Sequence, residues 1–283
     1  MKMSSNAMFG RVIKVTVKGK YSTTFSNKGL EIRFDVPFDD DSKPNTSTVD
    51  IYNLSKDSIN RMQKGDTCTI QAGYKDDYGV IAVGKITKIL TNRNGVDKIT
   101  TISFLEGDDY SRVKVTSKTA DKAEKGKKQK LKIAFKAGTK GSTIIKKICS
   151  VLGIKLAQMK LPKDVTYKKG YTVTGQILNN LEEVVKDCGA ALYYKRGKLI
   201  IRSIKEGDDE RFTLEEKTGL IGSPEPFDDE NGKGYKVQCL LQHRLAVASI
   251  VKLKSKGIDG KYRAKNGRHY CDGGNFMTEA NVI

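Results

Sequence analysis

The hydrophobic period of this chain changes twice, and that limits what it can fold into. Over roughly the first hundred residues apolar side chains recur every second position, the period of a strand with one buried face. Leu30-Glu31-Ile32-Arg33-Phe34-Asp35-Val36 alternates apolar with charged, Val12, Val15 and Val17 begin another strand, and Thr48-Val49-Asp50-Ile51-Tyr52-Asn53-Leu54 a third. Ser55 stands where it can cap a short helix over 56–62, with Ile59 and Met62 on one face. A strand over 67–72 follows, then Gly73-Tyr74 and a polar turn at 75–79. Segments 80–90 and 98–105 flank Asn92-Arg93-Asn94-Gly95, where Asn-Gly supplies the positive φ angles of a tight hairpin. Six short strands with regular turns predict a small barrel or sandwich over 8–110.

The middle of the chain has the helical period. Ile144, Ile145, Ile148, Val151 and Leu152 share one face, with Ser142 as the expected cap and Gly153 as the stop. Ile177, Leu178, Leu181, Val184, Val185 and Cys188 repeat the pattern, and Gly189 ends it. A hairpin follows, 191–194 and 199–204 around the basic turn Lys195-Arg196-Gly197-Lys198. This predicts a small α+β unit. Period 2 returns at 235–241, 249–254, 261–271 and 276–282, the last two divided by Asp272-Gly273-Gly274-Asn275. The order is therefore β, α+β, β.

Composition excludes several classes. No apolar run approaches the roughly 20 residues of a helical membrane span, so no membrane insertion is expected. Five cysteines, at 68, 149, 188, 239 and 271, are odd in number, widely spaced and free of CxxC, which points to a reducing, cytosolic setting. Residues 1–7, ending in Ser5-Asn6-Ala7 before Met8, read as a protease scar from an expression vector.

The net charge is +19, from 52 Lys and Arg against 33 Asp and Glu. More than half of the excess lies in 112–147, where 12 Lys and one Arg face only Asp121 and Glu124. A polyanion contact there, nucleic acid or an acidic partner, would draw on Lys125, Lys127, Lys128, Lys130 and Lys132. The competing reading is a solvated, self-repelling loop, since the run lacks aromatics for base stacking and the arginines of base-edge readout.

Catalytic patterns are absent. His243 and His269 are the only histidines, and neither lies in a recognisable catalytic motif. Gly138 to Thr143 lacks the spacing of a phosphate loop, and Asp39-Asp40-Asp41 lacks the alternation of a calcium loop. Cys239, His243, His269 and Cys271 are a weak zinc candidate: two thiolates and two imidazoles at unusual spacings. The expectation is a protein without enzymatic activity, resident metal or cofactor.

A pattern emerges from the order of short motifs. Thr48-Val-Asp-Ile-Tyr-Asn-Leu-Ser55, Ile59, Lys64-Gly65-Asp66, Gln71-Ala-Gly-Tyr74 and Val80-Ile-Ala-Val-Gly-Lys-Ile86 together resemble the first barrel of bacteriophage tail baseplate hub proteins. Leu220-Ile-Gly-Ser-Pro224, Gly234 to Leu241, and Gly260-Lys-Tyr-Arg263 through His269, Cys271 and Asp272 resemble the final barrel of that family. The resemblance implies a mainly β fold, with two small tube-like β-barrel domains, 8–110 and 206–283, flanking a basic loop and small α+β domain at 111–205. It also implies a homotrimer forming a pseudo-sixfold ring that joins the tail tube to the spike or tip. Tube, spike and tape-measure proteins would be its partners, with DNA passing transiently through the channel. Its place would be the virion tail, assembled in the bacterial cytoplasm. The expected interface and structural positions are Asn53, Leu54 and Ser55 at the strand-to-helix corner, Gly73 and Tyr74 closing the first barrel, and Gly222 and Pro224 at entry to the second. The alternative is a basic nucleic-acid-binding protein anchored by 112–147.

Overall fold

The computed structural model describes residues 10–110, 133–174, 176–229 and 232–283. The lysines at 125, 127, 128, 130 and 132 lie outside the described residues, as does the segment before Gly10.

The chain is mainly β. Its first part holds β1 (Arg11–Lys18), β2 (Ser22–Ser26), β3 (Ile32–Phe38), β4 (Thr46–Tyr52), α1 (Lys56–Asn60), β5 (Thr67–Tyr74), β6 (Asp77–Asn94) and β7 (Asp97–Leu105). The middle holds β8 (Ala134–Phe135), β9 (Thr139–Lys140), α2 (Gly141–Leu152), β10 (Leu156–Met159), β11 (Thr166–Tyr167), β12 (Tyr171–Thr172), α3 (Ile177–Asp187), β13 (Ala191–Lys195) and β14 (Lys198–Arg202). The last part holds β15 (Asp208–Leu214), β16 (Leu220–Asp229), β17 (Gly232–Leu240), β18 (Ser249–Ser255), β19 (Ile258–Cys271) and β20 (Phe276–Val282).

The alternating runs form strands because the alternation matches the pleat: Ile32, Phe34, Val36 and Phe38 are buried while Arg33, Asp35 and Pro37 between them are half-buried. The expected turn lies between β6 and β7, but its centre is Gly95-Val96: Gly95 takes φ +61°, while Asn94 ends β6 and is not at positive φ. Between β13 and β14 the two turn residues, Arg196 and Gly197, are both at positive φ, whereas between β6 and β7 only Gly95 of the pair Gly95-Val96 is. The cap of α2 differs from expectation. Lys140 is its N-cap, and Ser142 lies inside the first turn, its backbone N–H and hydroxyl both donating to Asp164 at 2.8 Å. An external carboxylate does what a capping serine would have done. Several strands lie outside the expected spans: the short β8 to β12 of the middle part, β2, which is short and polar, and β15 and β16, which lack clean alternation.

Thirteen strands join in one sheet, in the order β16-β17-β20-β19-β3-β4-β7-β6-β5-β1-β2, with β18 on β19 and β15 on β18. Among the described residues no ladder closes either β part on itself: β2 and β3, the ends of the first part, do not pair.

Within this sheet one topology occurs twice. A hairpin, β3–β4, is followed by a meander, β5-β6-β7, whose last strand returns to pair with β4. The hairpin β16–β17 and the meander β18-β19-β20, with β20 pairing β17, repeat it. The correspondence extends to single residues. The register shift in β6 between Ile86 and Lys88 recurs in β19 between Ala264 and Asn266. The cross-strand pair Thr91–Thr100 recurs as His269–Thr278, at the same offset in numbering, and Thr100 and Thr278 are both fully buried. The repeat is not complete: β1 runs antiparallel to β5, whereas β15 runs parallel to β18.

Three apolar clusters hold the chain together. One fills the first β part, one packs α2 and α3 against β13 and β14, and one fills the last β part. They exchange members. Phe38 of β3 lies in the third cluster, and Leu241, Cys271 and Phe276 lie in the first.

Candidate functional site: the seam between the two β units

The two repeats meet edge to edge where β3 pairs antiparallel with the second half of β19, from Gly267–Phe38 to Cys271–Phe34. β18 occupies the first half of β19, so β3 continues along the edge that β18 leaves. Gly267 permits the close approach, because a Cβ there would fall 2.7 Å from Phe38 Cζ. Phe38 lies over the His269 ring, centroids 5.3 Å apart, and both are buried. His269 Nδ1 is 2.8 Å from Thr278 Oγ1, and the ring also donates to the Leu245 backbone. Burial holds this imidazole neutral, with its pKa pushed down to about 3, and the nearby Arg196 charge acts in the same direction. On the solvent face Arg268 bonds Asp35 at 3.3 Å and Glu279 at 3.0 Å.

A second junction ties both repeats to the middle unit. The Asp77 carboxylate, at the β5–β6 turn, takes an ion pair from Arg244 at 2.6 Å. Arg196, on the β13–β14 turn, donates from Nη2 to the His243 carbonyl at 2.7 Å. The Arg196 backbone N–H donates to Glu106, just past β7. The Glu106 carboxyl is buried, and desolvation raises its pKa to about 7. Tyr194 completes the contact, donating to the Asp108 carbonyl at 2.6 Å.

The expected structural positions serve the chain's own corners. Asn53, at φ +56°, donates its backbone N–H to the Lys98 carbonyl and its side-chain amide to Asp97, so it fixes the end of β4 beside β7. Leu54 is buried in the first cluster. Ser55 caps α1, accepting from the Ser58 N–H at 3.1 Å. Ser55→Ala is expected to cost about 1 kcal/mol, read as a lower urea midpoint at unchanged slope. Gly73, at φ +150°, has the Asp77 carbonyl where a Cβ would sit. Tyr74 packs edge-on against Phe276, centroids 5.5 Å apart. Gly222, at φ +66°, lies in the register shift of β16, and Pro224 beside it is buried.

The zinc candidate is corrected. Among the described residues no three His, Cys, Asp or Glu side chains come together to hold a metal. Cys239 lies in the third cluster and Cys271 in the first, with its thiol at the Ile32 carbonyl. His243 lies beyond the end of β17, and His269 is taken up by Thr278. Alternation did put His269 and Cys271 on one face, but that face is a packed core.

Sequence reasoning missed the seam, although a signal was present. Pro37-Phe38-Asp39-Asp40 ends β3, and Pro226-Phe227-Asp228-Asp229 ends β16. This short repeat marks the two topologically equivalent edge strands.

Residues 12–262 match the family model described as baseplate hub gp41. The chain belongs to the baseplate hub gp41 family. Comparison with curated protein sequences yields no match. Among solved structures, this baseplate hub protein is similar to the tail protein from Neisseria meningitidis MC58, with a TM-score of 0.65 at 11% identity, covering 97% of this chain and 96% of that one. The 43 kDa tail protein of prophage MuSo2 from Shewanella oneidensis also gives 0.65, at 9% identity, covering 97% and 98%. The E. coli c3393 protein gives 0.62 at 10% identity, covering 95% and 76%; it is described as a type VI secretion component structurally similar to the T4 tail proteins gp27 and gp5. At these identities the likeness is one of fold, and it covers nearly the whole hub protein. The expected kinship with phage tail baseplate hubs is thereby established, and the family is a structural tail component.

Proposed function

We propose that this protein is the structural ring of a phage-type tail hub. Three copies, each contributing two β-barrel-like units, would form a pseudo-sixfold ring between the sixfold tube and the threefold spike or tip. The observation that carries this reading is the internal repeat: one topology occurs twice in the chain, joined edge to edge. Two equivalent units per chain let three chains present six similar faces on one side while keeping threefold symmetry on the other. Tube, spike and tape-measure proteins are the partners this role requires. The ring would stand in the virion tail after assembly in the host cytoplasm.

The test is native mass by light scattering after gel filtration, over a range of protein and salt concentrations. A species of three chains that persists at high salt is the expected result. A monomer throughout, together with DNA binding that weakens steeply with salt, would favour the nucleic-acid alternative.

A further inference from the structure

The middle unit carries a basic face that the ring does not account for. From 133 to 174 the chain has nine lysines, no arginine and a single carboxylate, Asp164. Residues 10–110, by contrast, are close to neutral, with 15 Lys and Arg against 14 Asp and Glu. The excess is therefore local and is not a general device for solubility.

The fold gathers these lysines. β9 pairs with β11, Lys140 opposite Thr166, and β8 pairs with β12, Phe135 opposite Tyr171. Between the two ladders lie Lys136 on one side and Lys168-Lys169 on the other. Their backbones are in contact: a Cβ on Gly170 would fall 3.2 Å from the Lys136 carbonyl carbon. α2 begins where β9 ends, with Lys140 as its N-cap. Lys136, Lys140, Lys146, Lys163, Lys168 and Lys169 are all exposed, and among the described residues none of them is in an ion pair. The neighbouring carboxylates are engaged. Asp164 accepts from the Ser142 N–H and hydroxyl; these bonds, with Lys140 and Lys146 nearby, hold its pKa below the ordinary value. Asp187 and Glu183 of α3 accept from Tyr167 at 2.6 Å and Tyr171 at 3.0 Å.

We propose that this lysine face of the middle unit binds double-stranded DNA through its phosphate backbone, without reading sequence. Three observations select that partner. The five large apolar side chains exposed among the described residues are Tyr21, Tyr78, Leu90, Val96 and Ile221, all on the β units. The face thus lacks the apolar centre that a stable contact with a folded protein is built around. It also lacks arginine, the side chain most used to read base edges, while lysines beside exposed Thr143 and Thr166 suit phosphate oxygens. Finally, its tyrosines are not offered for base stacking. Tyr167 and Tyr171 pack on each other edge-on, centroids 5.1 Å apart, with both hydroxyls bonded to α3. A duplex backbone fits this face better than a single strand. The inference does not depend on the copies forming a ring, because each chain carries the whole face.

The test is fluorescence anisotropy of a labelled blunt duplex of mixed sequence with the full chain, over a range of salt concentrations. One variant combines Lys136→Gln, Lys140→Gln, Lys168→Gln and Lys169→Gln. A control removes the same charge from exposed positions of the first β part: Lys18→Gln, Lys28→Gln, Lys56→Gln and Lys64→Gln. Both keep 111–132 unchanged, and circular dichroism checks that both fold. Wild-type affinity is expected to fall steeply with salt. In the first variant the slope of log affinity against log salt should shrink by about 0.9 for each phosphate contact removed, about 3 to 4 in all. The control should keep the wild-type slope. Wild-type protein that shows no salt-dependent binding, equal losses in both variants, or an unchanged slope in the first overturns the proposal. So does tighter binding of the single strand, tighter binding of polyglutamate at equal charge, or retention on phosphatidylglycerol vesicles without DNA binding; these results assign the face to a single strand, an acidic protein or a lipid surface. Light scattering on the same samples keeps the two readings apart. A trimer that does not bind DNA leaves the ring standing and overturns this face; a monomer that binds through these lysines does the reverse.

Discussion

Phe276→Ala is expected to destabilise the chain by about 3–5 kcal/mol, the usual cost of emptying a large aromatic site in a packed core. Phe276 begins β20 in the second repeat, but its ring lies in the core of the first. It is 2% exposed, edge-on to Phe34 at 6.2 Å and to Tyr74 at 5.5 Å, and the Arg11 guanidinium lies 5.5 Å from its centroid. Backbone in one repeat and side chain in the other means that the cavity weakens both. Urea unfolding followed by far-UV dichroism should therefore show one transition at a lower midpoint with unchanged slope. Val96→Ala, at a fully exposed turn, should leave the midpoint where it was. A two-step curve in which only one step moves would show that the repeats unfold separately, contrary to their exchange of core residues.

Local structure was legible in the sequence wherever one physical rule acted alone. Alternation found β1, β3, β4 and β7, Asn-Gly found the β6–β7 turn, and the apolar stripes with Gly153 and Gly189 found α2 and α3. It failed where rules competed. β16 carries three glycine or proline residues before its acidic end and shifts register at Gly222, so no alternation survives to be read. β10 runs parallel to β14, a pairing that links distant segments and leaves no local mark. The seam was hidden for a further reason. A strand's period shows that one face is buried but not which strand lies beside it, and β3 looks equally complete as the edge of its own unit. Only the two copies of Pro-Phe-Asp-Asp tie β3 to β16, and their meaning depends on knowing that one is covered and the other bare. His269 was misread by the same logic. The strand rule placed it correctly beside Cys271, while its partner, Thr278, comes from the neighbouring strand.

The second large effect is in pH dependence, where two buried groups pull in opposite directions. Glu106 has its folded pKa raised from 4.5 to about 7. Between those values the folded state holds a proton that the unfolded state has lost, so stability falls as pH rises through this window. His269 has its folded pKa lowered from 6.5 to about 3. There the unfolded state holds the extra proton, so stability rises with pH until about 6.5. The windows overlap from about 4.5 to 6.5, and in that range the two slopes cancel. Glu106→Gln removes one of them while keeping an oxygen to accept from the Arg196 N–H. Its stability relative to wild type is expected to climb by roughly 1.4 kcal/mol per pH unit between about 4.5 and 7, one proton's worth. Comparing the two proteins at each pH cancels every other titrating group, so urea midpoints at pH 5, 6 and 7 suffice. A difference that does not change with pH would mean that Glu106 titrates as an ordinary carboxylate and that the junction with Arg196 is open to water. A climbing difference would mean that the junction is dry, and that near neutral pH the hub holds this carboxyl partly protonated where β7 meets the middle unit.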